Sequence, residues 1–93
     1  MIHLHYVERE IERFCQRQRG RGRVDRWQLR YVDYQYRFEL ILHCPFGVCL
    51  RYDLTDSELR MGGEEALRFW LHRLEDEIED YIYLTNGSDA MAR

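Results

Sequence analysis

Three stretches of this chain carry residues whose types and spacing could do chemistry. The first is residues 15–30, CQRQRGRGRVDRWQLR, with six arginines: Arg17, Arg19, Arg21, Arg23, Arg26 and Arg30. Trp27, Tyr31, Tyr34 and Tyr36 lie within or just after it. Guanidinium groups interleaved with aromatic rings suit single-stranded nucleic acid, with charge for phosphate and ring faces for bases. They suit a protein or self-contact equally, because a guanidinium forks onto carboxylates as well as phosphates. A solvated loop followed by ordinary strand aromatics is the plainest reading. No helix-turn-helix, zinc-finger or RNA-recognition signature accompanies the stretch.

The second stretch is acidic: Glu75, Asp76, Glu77, Glu79 and Asp80. On a helix, Glu75–Glu79 and Asp76–Asp80 are like-charge i,i+4 pairs, each mildly destabilising. Near a helix C-terminus the macrodipole disfavours them further. Three readings follow: a solvated face that tolerates the repulsion, pairing with the chain's own Arg17–Arg30 segment in cis or across a dimer, or a surface for a basic partner. In the last case the acids compete for a groove that otherwise holds nucleic acid.

The third is HCPFGVC, residues 43–49. Structural zinc sites use four ligands, usually as two close-spaced pairs. Cys44 and Cys49 are loosely spaced and no second pair exists, so the expectation is free thiols at a turn, with no metal and no cofactor. Glycine-rich phosphate loops, HExxH and nucleophile elbows are absent. The serines, Ser57 and Ser88, have no helper in sequence, and His43 or His72 with Cys44 makes a dyad only by tertiary accident. The chain is expected not to be an enzyme.

Charge is unevenly spread. Residues 1–47 carry nine Arg against six Asp/Glu, and residues 48–93 carry five Arg against eleven, so a +3 front meets a −6 back within a net −3. All 14 basic side chains are arginine. GC-rich codon usage or selection for bidentate contacts explains this, and both point to a bacterial or phage gene. Composition is globular rather than disordered. No apolar run approaches the roughly 18–20 residues of a membrane span, and no signal-peptide pattern follows Met1. With three cysteines, an odd number, a reducing cytoplasmic location is expected.

The elements that must position these groups are legible from periodicity. Leu4, Val7, Ile11, Phe14 and Cys15 form a helical stripe over residues 2–18, stopped by Gly20 and Gly22. Trp27, Leu29 and Tyr31 alternate on one face of a strand. The phase then slips near Val32-Asp33, which means a turn or a bulge. Tyr34, Tyr36, Phe38, Leu40 and Leu42 alternate next, then Val48, Leu50, Tyr52 and Leu54. Pro45 and Gly47 between them predict a hairpin over residues 34–54. Thr55 with Glu58 makes a capping box, and Leu54 with Leu59 a hydrophobic staple. One helical turn ends at Gly62. A long helix follows from Gly63-Glu64, with Leu67, Trp70, Leu71, Leu74, Ile78, Tyr81 and Ile82 on its apolar face, and stops at Asn86-Gly87.

The expected architecture is α+β, a two-layer sandwich with an antiparallel sheet of two or three strands and an N-terminal and a long C-terminal helix on one face. It comprises one domain over residues 1–87 and a frayed tail over 88–93. The expected function is a small non-catalytic protein-binding module, an inhibitor acting through its acidic helix. Glu75, Asp76, Glu79, Asp80, Arg19, Arg21, Arg23 and Arg26 are its partner-binding residues. Its partners are another protein and a second copy of the chain as a homodimer, with no membrane. RNA or single-stranded DNA binding through residues 17–30 is the alternative, and a self-assembling structural component the third.

Overall fold

The computed structural model describes the backbone of residues 3–91 and the side chains of residues 3–83. Helix α1 spans Leu4–Gly20 and is capped by His3, whose Nδ1 accepts the His5 N–H at 3.2 Å. Val7, Ile11, Phe14 and Cys15 are buried as their spacing requires, and Gln18 joins them. Gly22 ends the helix with φ +74°. The Arg23 N–H donates to the Gln18 carbonyl and the Gly22 N–H to the Arg19 carbonyl, both at 3.0 Å, the paired bonds of a Schellman cap.

Three strands follow: β1 at Arg26–Val32, β2 at Arg37–His43 and β3 at Cys49–Thr55. They form an antiparallel sheet in the order β1-β2-β3, so β1 and β3 are both edges. The phase slip is a turn: Asp33–Gln35 form a 3-10 turn and Tyr36 is left-handed at φ 50°. This corrects the sequence reading at two residues. Tyr34 and Tyr36 continue the even-numbered alternation but sit in the reversal, 80% and 67% exposed, so they are not core. Alternation marks a face only where the chain is extended. The second reversal runs through Pro45–Gly47.

The β1–β2–β3 register aligns Trp27, Leu29 and Tyr31 with Leu42, Leu40 and Phe38, and these with Leu50, Tyr52 and Leu54. Phe38, Leu40, Leu42, Leu50 and Leu54 join Val7, Ile11 and Phe14 of α1 in one buried cluster with the apolar face of the C-terminal helix. The fold is α+β, with both helices covering the same face of the sheet.

Helix α2 spans Asp56–Met91. Its start is the expected capping box: the Glu58 N–H donates to Thr55 Oγ1 at 3.2 Å, and the Thr55 N–H to Glu58 Oε2 at 3.0 Å. Leu54 and Leu59 are both buried around it. Gly63 interrupts the helix at φ 57°, ψ −136°, a backbone state that only glycine adopts readily. Beyond the break, Leu67, Trp70, Leu74 and Ile78 are buried. The helix does not stop at Asn86-Gly87 but continues to Met91. Asn and Gly cost up to about 1 kcal/mol each relative to alanine, yet neither blocks the helical backbone as proline does. Of the tail expected over 88–93, residues 92–93 lie outside the described residues. No helix among the described residues is long and apolar enough to cross a membrane.

Candidate functional site

Four of the eight expected partner-binding residues meet each other. Arg21 Nη1 lies 3.0 Å from Glu75 Oε1, and Arg23 Nη1 2.9 Å from Glu79 Oε1. The fold explains the match. Arg21 and Arg23 flank the left-handed Gly22 in the turn that ends α1, which carries both arginines toward α2. Glu75 and Glu79, one helical turn apart, are offset by about 5–6 Å. The pairs run in chain order, Arg21 with Glu75 and Arg23 with Glu79. Arg19 is engaged differently, its guanidinium 5.0 Å from the centroid of the Trp27 ring, whose Nε1–H donates to Glu12 Oε2 at 2.9 Å.

The remaining expected residues stand apart. Asp76 and Asp80 are exposed on α2 with no ion pair or hydrogen bond among the described residues. Arg26 is exposed at the start of β1, on the sheet face away from the helices. Because α2 runs on to Met91, the acids lie well before its last turn, and the macrodipole, felt only within that turn, does not act on them. What remains is the i,i+4 repulsion, relieved for Glu75 and Glu79 by their arginines and not for Asp76 and Asp80.

A second charged assembly, on the outer face of the sheet, was not among the expected sites. Glu39 is only 3% exposed, beneath Arg30 and Arg51, which are 67% and 64% exposed. Arg51 Nη2 and Arg37 Nη2 reach Glu39 Oε2 at 2.9 and 3.2 Å, and Arg30 Nε reaches Oε1 at 3.2 Å. Arg37 also pairs with Asp53. The Arg51 hydrogen bond first, then the charges of Arg30 and Arg51 and the Arg37 bond, hold the Glu39 carboxyl below the usual carboxylate range against the opposing effect of burial. The signal in sequence was the odd-numbered polar positions of β2 and β3. They could be read as a cluster only once the register placed Arg30 opposite Glu39.

The thiols divide by burial. Cys15 and Cys44 are buried and Cys49 is exposed. Burial, with help from Glu12, pushes the Cys15 thiol up to about 12. Burial also raises Cys44, with smaller contributions from Asp25 and Cys49. Two phenols are raised as well. Tyr31 is raised to about 12, chiefly by its 2.5 Å hydrogen bond to Asp56 Oδ2. Tyr52 is raised by burial first and then by a hydrogen bond to the Glu77 carboxylate. Every one of these shifts stabilises the resting form of a group used in packing or pairing.

Compared with protein-family models, curated proteins and solved structures, the chain matches none.

Proposed function

We propose that this chain is a small non-catalytic module that binds another protein through the acidic flank of α2, formed by Asp76, Glu77 and Asp80. The observation that carries the reading is the division of the acidic stretch: Glu75 and Glu79 are neutralised by Arg21 and Arg23, while Asp76 and Asp80 have no cation partner among the described residues. Like charges one turn apart cost helix stability, and a basic partner removes that cost on binding. An inhibitor of bacterial or phage origin that occupies a partner's basic groove is the specific form of this reading.

Selection of a random displayed-peptide library on the wild-type chain and on the Asp76→Arg/Asp80→Arg variant tests it. Peptides enriched on the wild type should be rich in Arg and Lys and lost from the variant. Enrichment indifferent to the charge reversal refutes the reading.

One observation favours nucleic acid as a second reading. Tyr34 and Tyr36 are exposed at one end of an outer sheet face that carries Arg26, Arg30, Arg37 and Arg51. Binding of labelled single-stranded RNA that weakens roughly a thousandfold between about 50 and 200 mM salt would establish it, at some six phosphate contacts.

A further inference from the structure

Which backbone groups the β3 edge turns outward follows from its hydrogen-bond phase. In an antiparallel ladder, opposed residues alternate between hydrogen-bonded and non-hydrogen-bonded pairs. The Cys44 N–H donates to the Val48 carbonyl and the Asp56 N–H to the Tyr36 carbonyl, both at 2.8 Å, at the two ends of the β2–β3 register. Both bonds fix the same phase. Leu50, Tyr52 and Leu54 bond to β2, and Cys49, Arg51, Asp53 and Thr55 turn their backbone groups outward. Trp70 agrees with this phase, because its Nε1–H reaches the Asp53 carbonyl at 3.0 Å. The Thr55 N–H is taken by Glu58. The C-terminal half of the edge is thus closed by side chains of α2. At Cys49 and Arg51 the outward N–H and C=O groups have no partner among the described residues.

A groove of about 460 Å³ lies along that open half, between β3 and α2. Leu50 and Tyr52 line it from the strand, and Glu77, Asp80 and Tyr81 from the helix. Arg51 also lines it, but its guanidinium is committed to Glu39. An open strand edge beside a helix-walled groove is the arrangement in which an extended peptide adds as a further strand, with backbone bonds giving affinity and alternate side chains entering the groove.

We propose that an extended basic segment of another protein adds antiparallel to β3 at Cys49–Asp53, its inward-facing Arg or Lys side chains lying in the groove. This rests on the acidic-flank reading above and assigns that flank its ligand. The methylene stem of such a side chain lies along Leu50 and the Tyr52 ring, and its cation reaches Asp80 and Glu77. Charge argues against a second copy as occupant. Pairing β3 with β3 of another chain sets the two acidic flanks against each other.

The probe is a fluorescein-labelled, acetylated hexapeptide alternating valine and arginine, read by anisotropy and by amide exchange of the protein. We expect saturable binding and slowed exchange at the Cys49, Arg51 and Asp53 amides. N-methylation of the peptide amides that face β3 should weaken binding by about fivefold for each backbone bond lost. Asp80→Arg should weaken it about three- to tenfold, and it removes a repulsive helix pair rather than a fold contact.

Binding that responds to Asp80→Arg but not to N-methylation, with exchange unchanged, overturns strand addition and leaves the acidic flank standing. Binding that responds to N-methylation but not to Asp80→Arg overturns the acidic ligand assignment and the functional reading together. No binding overturns both. Protection of the Cys49 and Arg51 amides without peptide, with a dimer mass by light scattering, shows that a second copy fills the edge and overturns the proposal.

Discussion

The cis latch between Arg21–Glu75 and Arg23–Glu79 decides which charges are free for a partner, and a double-mutant cycle tests it. At about 4 Å and an effective dielectric near 20, two unit charges attract by roughly 4 kcal/mol. Arg21 is 54% and Glu79 49% exposed on their side chains, so solvent screening cuts this to the roughly 0.2–1 kcal/mol measured for exposed pairs. The single substitutions mislead. Glu79→Gln loses an ion pair but relieves the Glu75–Glu79 repulsion, about 0.2–0.5 kcal/mol of opposite sign, so its net effect lies near zero. The coupling energy removes that offset, because the repulsion is relieved equally with Arg23 present or absent. Cycles of Arg21→Ala with Glu75→Gln and of Arg23→Ala with Glu79→Gln, followed by urea unfolding, should each give about 0.3–0.8 kcal/mol at low salt. That coupling should shrink toward about 1 M salt, where the Debye length falls to roughly 3 Å. Coupling indistinguishable from zero in both cycles at low salt would falsify the latch. Arg21, Arg23 and Arg26 would then be free cations, and the nucleic-acid reading would move ahead.

Three further perturbations follow from particular contacts. Gly63→Ala should destabilise by about 1–3 kcal/mol in the same unfolding assay, because φ 57°, ψ −136° is strained for any side chain; a neutral effect would mean the helix does not break there. Glu39 titrates below its unfolded value, so its contribution is complete above the ordinary carboxylate range and is lost as pH falls through the folded value. The urea midpoint should therefore hold between neutrality and about pH 5 and drop below about pH 4, and Glu39→Gln should flatten that acid limb; an unchanged limb removes Glu39 from the account. With Ellman's reagent, exposed Cys49 should react in the native state and buried Cys15 and Cys44 only after unfolding, and three fast thiols would contradict the packing.

Much of the fold was legible because it rests on local periodicity. The α1 stripe, the capping box at Thr55–Glu58, the break at Gly63 and the buried row Leu67-Trp70-Leu74-Ile78 were all set by spacing and glycine chemistry. Tyr34 and Tyr36 were misread because two-residue alternation passes through a turn without any change in residue type; only the left-handed backbone at Tyr36 marks the reversal. The end of α2 was misplaced because Asn86-Gly87 weakens a helix without forbidding it. The Glu39 cluster and the β3 groove were out of reach for a different reason. Both depend on register and on helix-to-strand placement, and a single chain of letters carries no statement about which strand lies beside which.

The charge asymmetry of the sequence also changes meaning once the pairs are known. Among the described residues, four ion pairs cross between the halves: Arg21–Glu75, Arg23–Glu79, Arg37–Asp53 and Arg51–Glu39. They remove three arginines and one glutamate from residues 1–47, and three acids and one arginine from residues 48–93. The +3 front is left with +1 and the −6 back with −4. The arginine-rich front, the alternative binding surface in sequence, is the half that folding nearly neutralises. The acidic back keeps most of its charge, and Glu77 and Asp80 of that half border the groove beside the open edge of β3. A field of that sign draws in a cationic chain and repels a phosphate backbone approaching the same side. Nucleic acid is therefore left the opposite face of the sheet, where Arg30 and Arg51 are exposed but already share the Glu39 carboxylate.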